Sequence, residues 1–158
     1  MKKLVSTADW LPDDYARVSE SSYRQYLLYC DPFERFSVVS FVWGPEQKTP
    51  IHNHAVWGVI GQLVGEEMAQ SFAFDTDGSL APVGDAHMAH PGDVSSVSPR
   101  IGDIHQVWNP STISPAISIH AYGGNIGRIT RKTFTPSIGT AKPFISSYSN
   151  DSLPNIWK

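Results

Sequence analysis

The chain has 158 residues, 41% hydrophobic and 17% charged. At roughly 150 residues per domain this length holds one core and leaves no room for a second catalytic module, and a composition this apolar is not that of a disordered chain. A net charge of −3, with no basic run after Lys2 and Lys3, argues against a nucleic-acid partner. No window approaches the roughly 20 apolar residues of a membrane span, and Thr7, Asp9 and Asp13 stand where a secretory leader would be apolar. The one cysteine, Cys30, can form neither an internal disulfide nor a thiolate zinc site, so a reducing, cytoplasmic setting is expected.

Residues 7–19 read as a loop or a short irregular helix. The segment Ser21 to Cys30 reads as a helix, capped by Ser21 or Ser22, with Tyr23, Tyr26 and Leu27 on one face and Asp31-Pro32 ending it. After Pro32 the period changes from 3.6 to 2. Strand-like runs follow at 36–43, 56–64, 68–74, 93–97, 104–108, 116–122 and 126–134. Asp75-Thr76-Asp77-Gly78-Ser79 reads as a hairpin turn, since the rest of a calcium-loop pattern is missing. The fold class is therefore all-β, a barrel or sandwich over the single unit 1–158. It divides into a helical N-terminal segment (1–34), a barrel (35–134) and a wrapping, proline-containing tail (135–158).

His52-Asn53-His54 opens one strand-like run, and on a strand residues i and i+2 share a face. His105 opens another short run about 50 residues later. Three imidazoles from neighbouring strands can cap one face of a cation and leave positions open, as a catalytic metal requires. Separate, satisfied histidines are the alternative, because short metal motifs carry real false-positive risk. On the run 116–122, Ser118, His120 and Tyr122 form a polar row on one face, either hydrogen-bonded to one another inside or solvated outside. His87 and His90 sit among Pro82, Gly84, Pro91 and Gly92 and read as exposed loop imidazoles.

Gly44, His52, His54 and Gly65, followed by Gly92, Pro99, Gly102, His105 and Asn109, resemble the two motifs of the cupin superfamily over residues 44–109. That resemblance implies a double-stranded β-helix, or jelly-roll, barrel. The carboxylate ligand usual in the first motif is replaced here by Gly58, so the implied ligand set is three neutral histidines, which leaves the metal its positive charge and favours anionic ligands.

More specifically, Thr49-Pro50-Ile51-His52-Asn53-His54 through Val56-Trp57-Gly58, with Gly92-Asp93, Gly102-Asp103-Ile104-His105 and Ser118-x-His120-x-Tyr122, resembles the cysteine dioxygenase family of non-haem iron thiol dioxygenases over residues 23–148. The resemblance implies Fe(II) on His52, His54 and His105, with Ni or Zn as substitutes after heterologous expression. It implies a relay of Ser118, His120 and Tyr122, and conversion of a small thiol and O2 to a sulfinic acid. Some members link a cysteine to the tyrosine; the matching position is Gly58, so no such link forms here. Members also begin with a longer helical segment than this chain has. Gln25 matches the position where the mammalian-type members carry a carboxylate-binding arginine, and Arg131 matches the arginine of the bacterial branch that prefers 3-mercaptopropionate. On a strand Arg131 faces away from Arg128 and Lys132. Trp57 follows the metal motif closely enough to line a pocket, or to be core. A non-catalytic metal-binding cupin and an oxygenase of a non-thiol substrate are the alternatives.

Overall fold

The computed structural model describes residues 1–136, 140–151 and 154–157, and its strands fall into two antiparallel sheets. In chain order these are β1 (Arg24–Cys30), β2 (Ser37–Trp43), β3 (Ile51–His52), β4 (Gly58–Val64), β5 (Glu67–Phe74), β6 (Leu80–Ala89), β7 (Val94–Val97), β8 (His105–Trp108), β9 (Ala116–Tyr122), β10 (Arg131–Phe134) and β11 (Ala141–Phe144). One sheet has the order β1-β2-β9-β4-β7 and the other β11-β10-β3-β8-β5-β6.

In the first sheet β2 is buried on both faces, which explains its near-continuous apolar sequence. On β2, Val39, Phe41 and Trp43 join Leu27, Val107 and Tyr122 in the core between the sheets. The intervening Val42 packs outward with Ile117 and Ile119 of β9 against Val5 and Leu11. The N-terminal residues thus cover the outer face. They come close enough that a Cβ on Gly61 would meet Val5 and Met1 side chains at 2.7 Å.

The expected helix over 21–30 is not formed. Residues 24–30 are a strand paired with β2, and helical geometry before it is confined to the 3-10 turns Leu4–Ser6 and Asp13–Tyr15. Two-sided burial explains the difference: the adjacent Leu27 and Leu28 point to opposite faces of the strand and are both fully buried, one in each core, and the register also slips between Leu27 and Tyr29. Two successive apolar residues among tyrosines imitate a helical face.

Described parts of the tail contact the rest of the chain. β11 pairs with β10, the Asn150 side chain bonds both backbone groups of Leu27, and Trp157 stacks on Trp10. The expected strand over 126–134 is shorter than read: residues 126–129 turn, and only Arg131–Phe134 pair. Asp75–Ser79 is a hairpin turn, with the Asp75 amide donating to the Ser79 carbonyl at 2.8 Å. It leads into β6, a strand absent from the sequence reading, which carries exposed His87. Among the described residues no helix is long and apolar enough to cross a membrane.

Candidate metal centre

β3 and β8 are paired with His52 directly opposite His105. β3 ends there, and His54 stands in the loop beyond. Four hydrogen bonds hold that loop in place. The Asn53 backbone N–H donates to the Lys132 carbonyl at 3.1 Å, the Lys132 amide donates to Asn53 Oδ1 at 2.8 Å, and the Asp103 carboxylate accepts from the amides of His54 and Ala55. Ala55 adopts a left-handed φ of 61°, an unfavourable conformation for a residue with a Cβ that the Asp103 contact helps to hold.

The result is one cluster. A ring nitrogen from each of His52, His54 and His105 lies within 4.8 Å of the others, and all three side chains are buried. His52 Nδ1 donates to the Pro50 carbonyl at 3.0 Å, which leaves Nε2 with its lone pair. His54 Nδ1 is buried with no hydrogen-bond partner among the described residues. Burial holds His52 down to about 4, and burial with the neighbouring imidazoles holds His54 and His105 well below the ordinary histidine value. Three neutral, mutually facing imidazoles with an orphaned nitrogen fit a metal cation.

The polar row of β9 faces inward, alternating with Ile117 and Ile119 on the outer face. Its members form a chain: Ser118 Oγ lies 2.8 Å from His120 Nε2, and His120 Nδ1 lies 2.8 Å from Tyr122 Oη. The Tyr122 ring stacks on His54 with centroids 5.5 Å apart, which joins this chain to the cluster. Burial pushes the Tyr122 phenol well above its ordinary value and His120 down to about 3, so both are neutral. Gly58 stands opposite Tyr122 on β4, and a Cβ there would meet Tyr122 Cε1 at 2.9 Å. One member of the chain escaped sequence reading. Glu67, the first residue of β5, accepts from Ser118 Oγ at 2.7 Å.

A narrow cavity beside His52 is lined by Gln25, Tyr23, Phe144, Ser146 and Arg131. Arg131 and Gln25 are each 3% exposed, and Ser146 bridges them: its hydroxyl accepts from Arg131 Nη2 and donates to Gln25 Oε1 at 3.0 Å. The Arg131 guanidinium also lies over the Phe144 ring, 4.6 Å from the centroid. Arg131 Nε and Gln25 Nε2 have no partner, and among the described residues no carboxylate pairs with Arg131. By contrast, Arg128 lies at the surface on Glu34, and Lys132 is exposed. Gln25 thus reaches the cavity from a strand and not from the expected helix. Trp57 is 48% exposed and lies against Gly123, outside the residues that line this cavity. His87 and His90 are exposed, with His90 on Glu66.

No family model matches the chain. Its fold is similar to an uncharacterised double-stranded β-helix protein from Klebsiella pneumoniae, with TM-score 0.56 and 17% identity over 85% of this chain and 88% of that one. It is also similar to a cupin superfamily protein from Desulfitobacterium hafniense, with TM-score 0.51 and 14% identity over 69% and 84%. An oxalate oxidase bound to glycolate aligns at TM-score 0.53 and 15% identity over 75% of this chain and 62% of that one. The chain therefore has the cupin double-stranded β-helix fold, and it carries within that fold a three-histidine cluster able to hold a metal.

Proposed function

We propose that this cupin is an iron-dependent oxygenase of small thiol carboxylates, with 3-mercaptopropionate favoured over cysteine and the sulfinic acid as product. The observation that carries the reading is the buried, uncompensated Arg131 beside the histidine cluster. An unpaired guanidinium in a low-dielectric site costs several kcal/mol, and a carboxylate able to reach both Arg131 and the free Gln25 N–H would relieve it. An acid anchored there lies next to His52, in reach of the cluster with its other end.

His52, His54 and His105 would hold Fe(II), which when bound supplies the Lewis acidity and redox capacity the oxidation needs. The overall change balances as RSH plus O2 giving RSO2H: sulfur loses four electrons, O2 gains four, and both oxygen atoms end on sulfur. The polypeptide contributes neutral ligands, a carboxylate clamp of Arg131 and Gln25, and a hydroxyl donor, Tyr122, oriented by His120 and Ser118. A cytoplasmic setting accords with the single, free Cys30.

A second reading is oxidation of a non-thiol acid, because the clamp recognises a carboxylate whatever the far end of the ligand carries. Oxygen-electrode traces of the iron-loaded protein separate the two. Uptake that requires a thiol acid is expected; uptake with a thiol-free acid supports the second reading, and none with any acid removes both.

A further inference from the structure

We infer that Glu67 is the terminal positioning residue of a four-member hydrogen-bond chain, and that its protonation state decides whether Tyr122 presents an O–H or a lone pair to the histidine cluster. The inference rests on reading that cluster as the reaction centre. It extends beyond the row recognised in the sequence, whose far end the sequence left open.

With one hydrogen in each contact and any Glu67 proton on Oε2, the oxygen that faces Ser118, two arrangements are consistent. Glu67 Oε2, Ser118 Oγ, His120 and Tyr122 Oη are linked by contacts of 2.7, 2.8 and 2.8 Å, and each contact holds one hydrogen. Ser118, neutral His120 and Tyr122 each bring one hydrogen to the chain. With Glu67 ionised, Ser118 must donate to it; His120 Nε2–H then donates to Ser118, and Tyr122 donates to His120 Nδ1. Tyr122 Oη is left with only acceptor capacity, on a ring that stacks on His54. With Glu67 protonated every bond reverses: Glu67 donates to Ser118, Ser118 to Nε2, and Nδ1–H to Tyr122, whose own O–H is released toward the centre.

The chain therefore moves one proton without charging any of its inner members. Starting from protonated Glu67, a proton given up at Tyr122 Oη is replaced from His120 Nδ1, that one from Ser118, and that one from Glu67, which ends as the carboxylate. The reverse sequence stores in Glu67 a proton released by a ligand as it binds. The surroundings suit such a store. Glu67 is 4% exposed. Facing it are Ser118 of β9 and the Trp43 indole of β2, which also donates to Ser118 Oγ at 3.4 Å, while Ala89 lies opposite it on β6. The titratable groups beyond Ser118 are His120 and Tyr122, and among the described residues no cation pairs with Glu67. Burial, only partly offset by the Ser118 and Trp43 hydrogen bonds, pushes its carboxyl up to about 7, so both states are accessible near neutral pH.

The test reads the His120 tautomer by 15N NMR in metal-free, histidine-labelled protein, alongside the 13C carboxyl signal of Glu67, across a pH titration. The expected result is a shift of the imidazole proton from Nδ1 to Nε2 as Glu67 ionises, with the two midpoints coinciding. In Ser118→Ala the Glu67 carboxyl should still titrate while the His120 tautomer no longer follows it. In Glu67→Gln the tautomer should be constant with pH. A single His120 tautomer throughout in the wild-type protein overturns the inference, as does a switch that survives in Ser118→Ala. Because neither metal nor turnover enters the readout, failure here leaves thiol oxygenation standing. Absence of thiol-dependent O2 uptake leaves the hydrogen-bond chain standing.

Discussion

The Asp103 carboxylate accepts hydrogen bonds from the backbone amides of His54 and Ala55 at 3.0 and 3.1 Å, so the block that carries His105 also holds the loop that carries His54. The ligands are coupled through the backbone and not only through the cation they would share. Asp103→Ala should release the strained Ala55 turn and weaken metal binding by about 10–100-fold, the usual cost of losing support behind a ligand. A chelator-competition titration measures it. Affinity equal to that of the wild-type protein would show that the loop holds its shape without Asp103. His54→Ala and His105→Ala should lose the metal, whereas His87→Ala, at an exposed site, should keep it.

Arg131→Ala should raise the apparent KM for a thiol acid by the equivalent of about 2–3 kcal/mol, the order of a hydrogen bond to a charged group. The substitution should leave the KM for cysteamine, which has no carboxylate, nearly unchanged. Arg131→Lys should rescue only in part, since an ammonium cannot reproduce the two-pronged guanidinium contact. Equal losses for acid and amine would mean that Arg131 serves the fold and not the ligand.

The pH dependence of stability has a definite sign. In the metal-free protein the unfolded chain takes up protons below about 6.5 that His52, held down to about 4, and His120, held down to about 3, cannot accept when folded. Stability should therefore fall as pH drops from 6.5 toward 4, by about 3 kcal/mol from His52 alone. Glu67 acts in the opposite sense. With its carboxyl raised from 4.5 to about 7, its contribution is present at low pH and is lost as pH rises through 7. Thermal melts should show Tm rising between pH 4.5 and 6.5, and rising more steeply in Glu67→Gln. A flat or falling wild-type profile would contradict the neutral, buried histidines.

Tyr122→Phe should retain the metal and lower turnover by about 100-fold, as expected for removal of a positioned hydroxyl donor. Gly58→Ala should have a related effect by a different route, since its methyl would press on Tyr122 Cε1 and on Val97. Because Gly58 offers no thiol, intact mass should show one species without a side-chain cross-link. Full turnover in Tyr122→Phe would return the row to a structural role.

What could be read from the sequence was whatever local period encodes. The two-residue repeat of 118/120/122 places its side chains on one face of β9, so the polar row was legible, whereas the strand that suggested pairing 52 with 54 ends at His52 and His54 reaches the cluster from the loop that Asp103 holds. β1 was not, because Leu27 and Leu28 are buried on opposite faces of the strand, and burial on both sides erases the apolar–polar alternation by which a strand is recognised. Glu67 and Ser146 were missed for another reason. Each is a lone polar residue with no motif around it, brought to its place by a partner 51 or 121 residues away, Ser118 and Gln25 respectively. Arg131 was named from resemblance alone. Its strand is shorter than expected, yet it is the buried member of the trio with Arg128 and Lys132.

The most direct measurement is kcat/KM for 3-mercaptopropionate, cysteine and cysteamine in the iron-loaded protein, with O2 uptake and sulfinate formation followed together. The expected result is one O2 consumed per sulfinate formed, with 3-mercaptopropionate the best substrate and cysteamine the poorest. That order would follow from the proposed clamp, in which Arg131 and Gln25 engage the carboxylate and not an α-amino group. A clear preference for cysteine would contradict the assignment of substrate while leaving thiol oxygenation intact. A preference for cysteamine would remove the carboxylate clamp, and O2 uptake without sulfinate from any of the three would contradict the function itself.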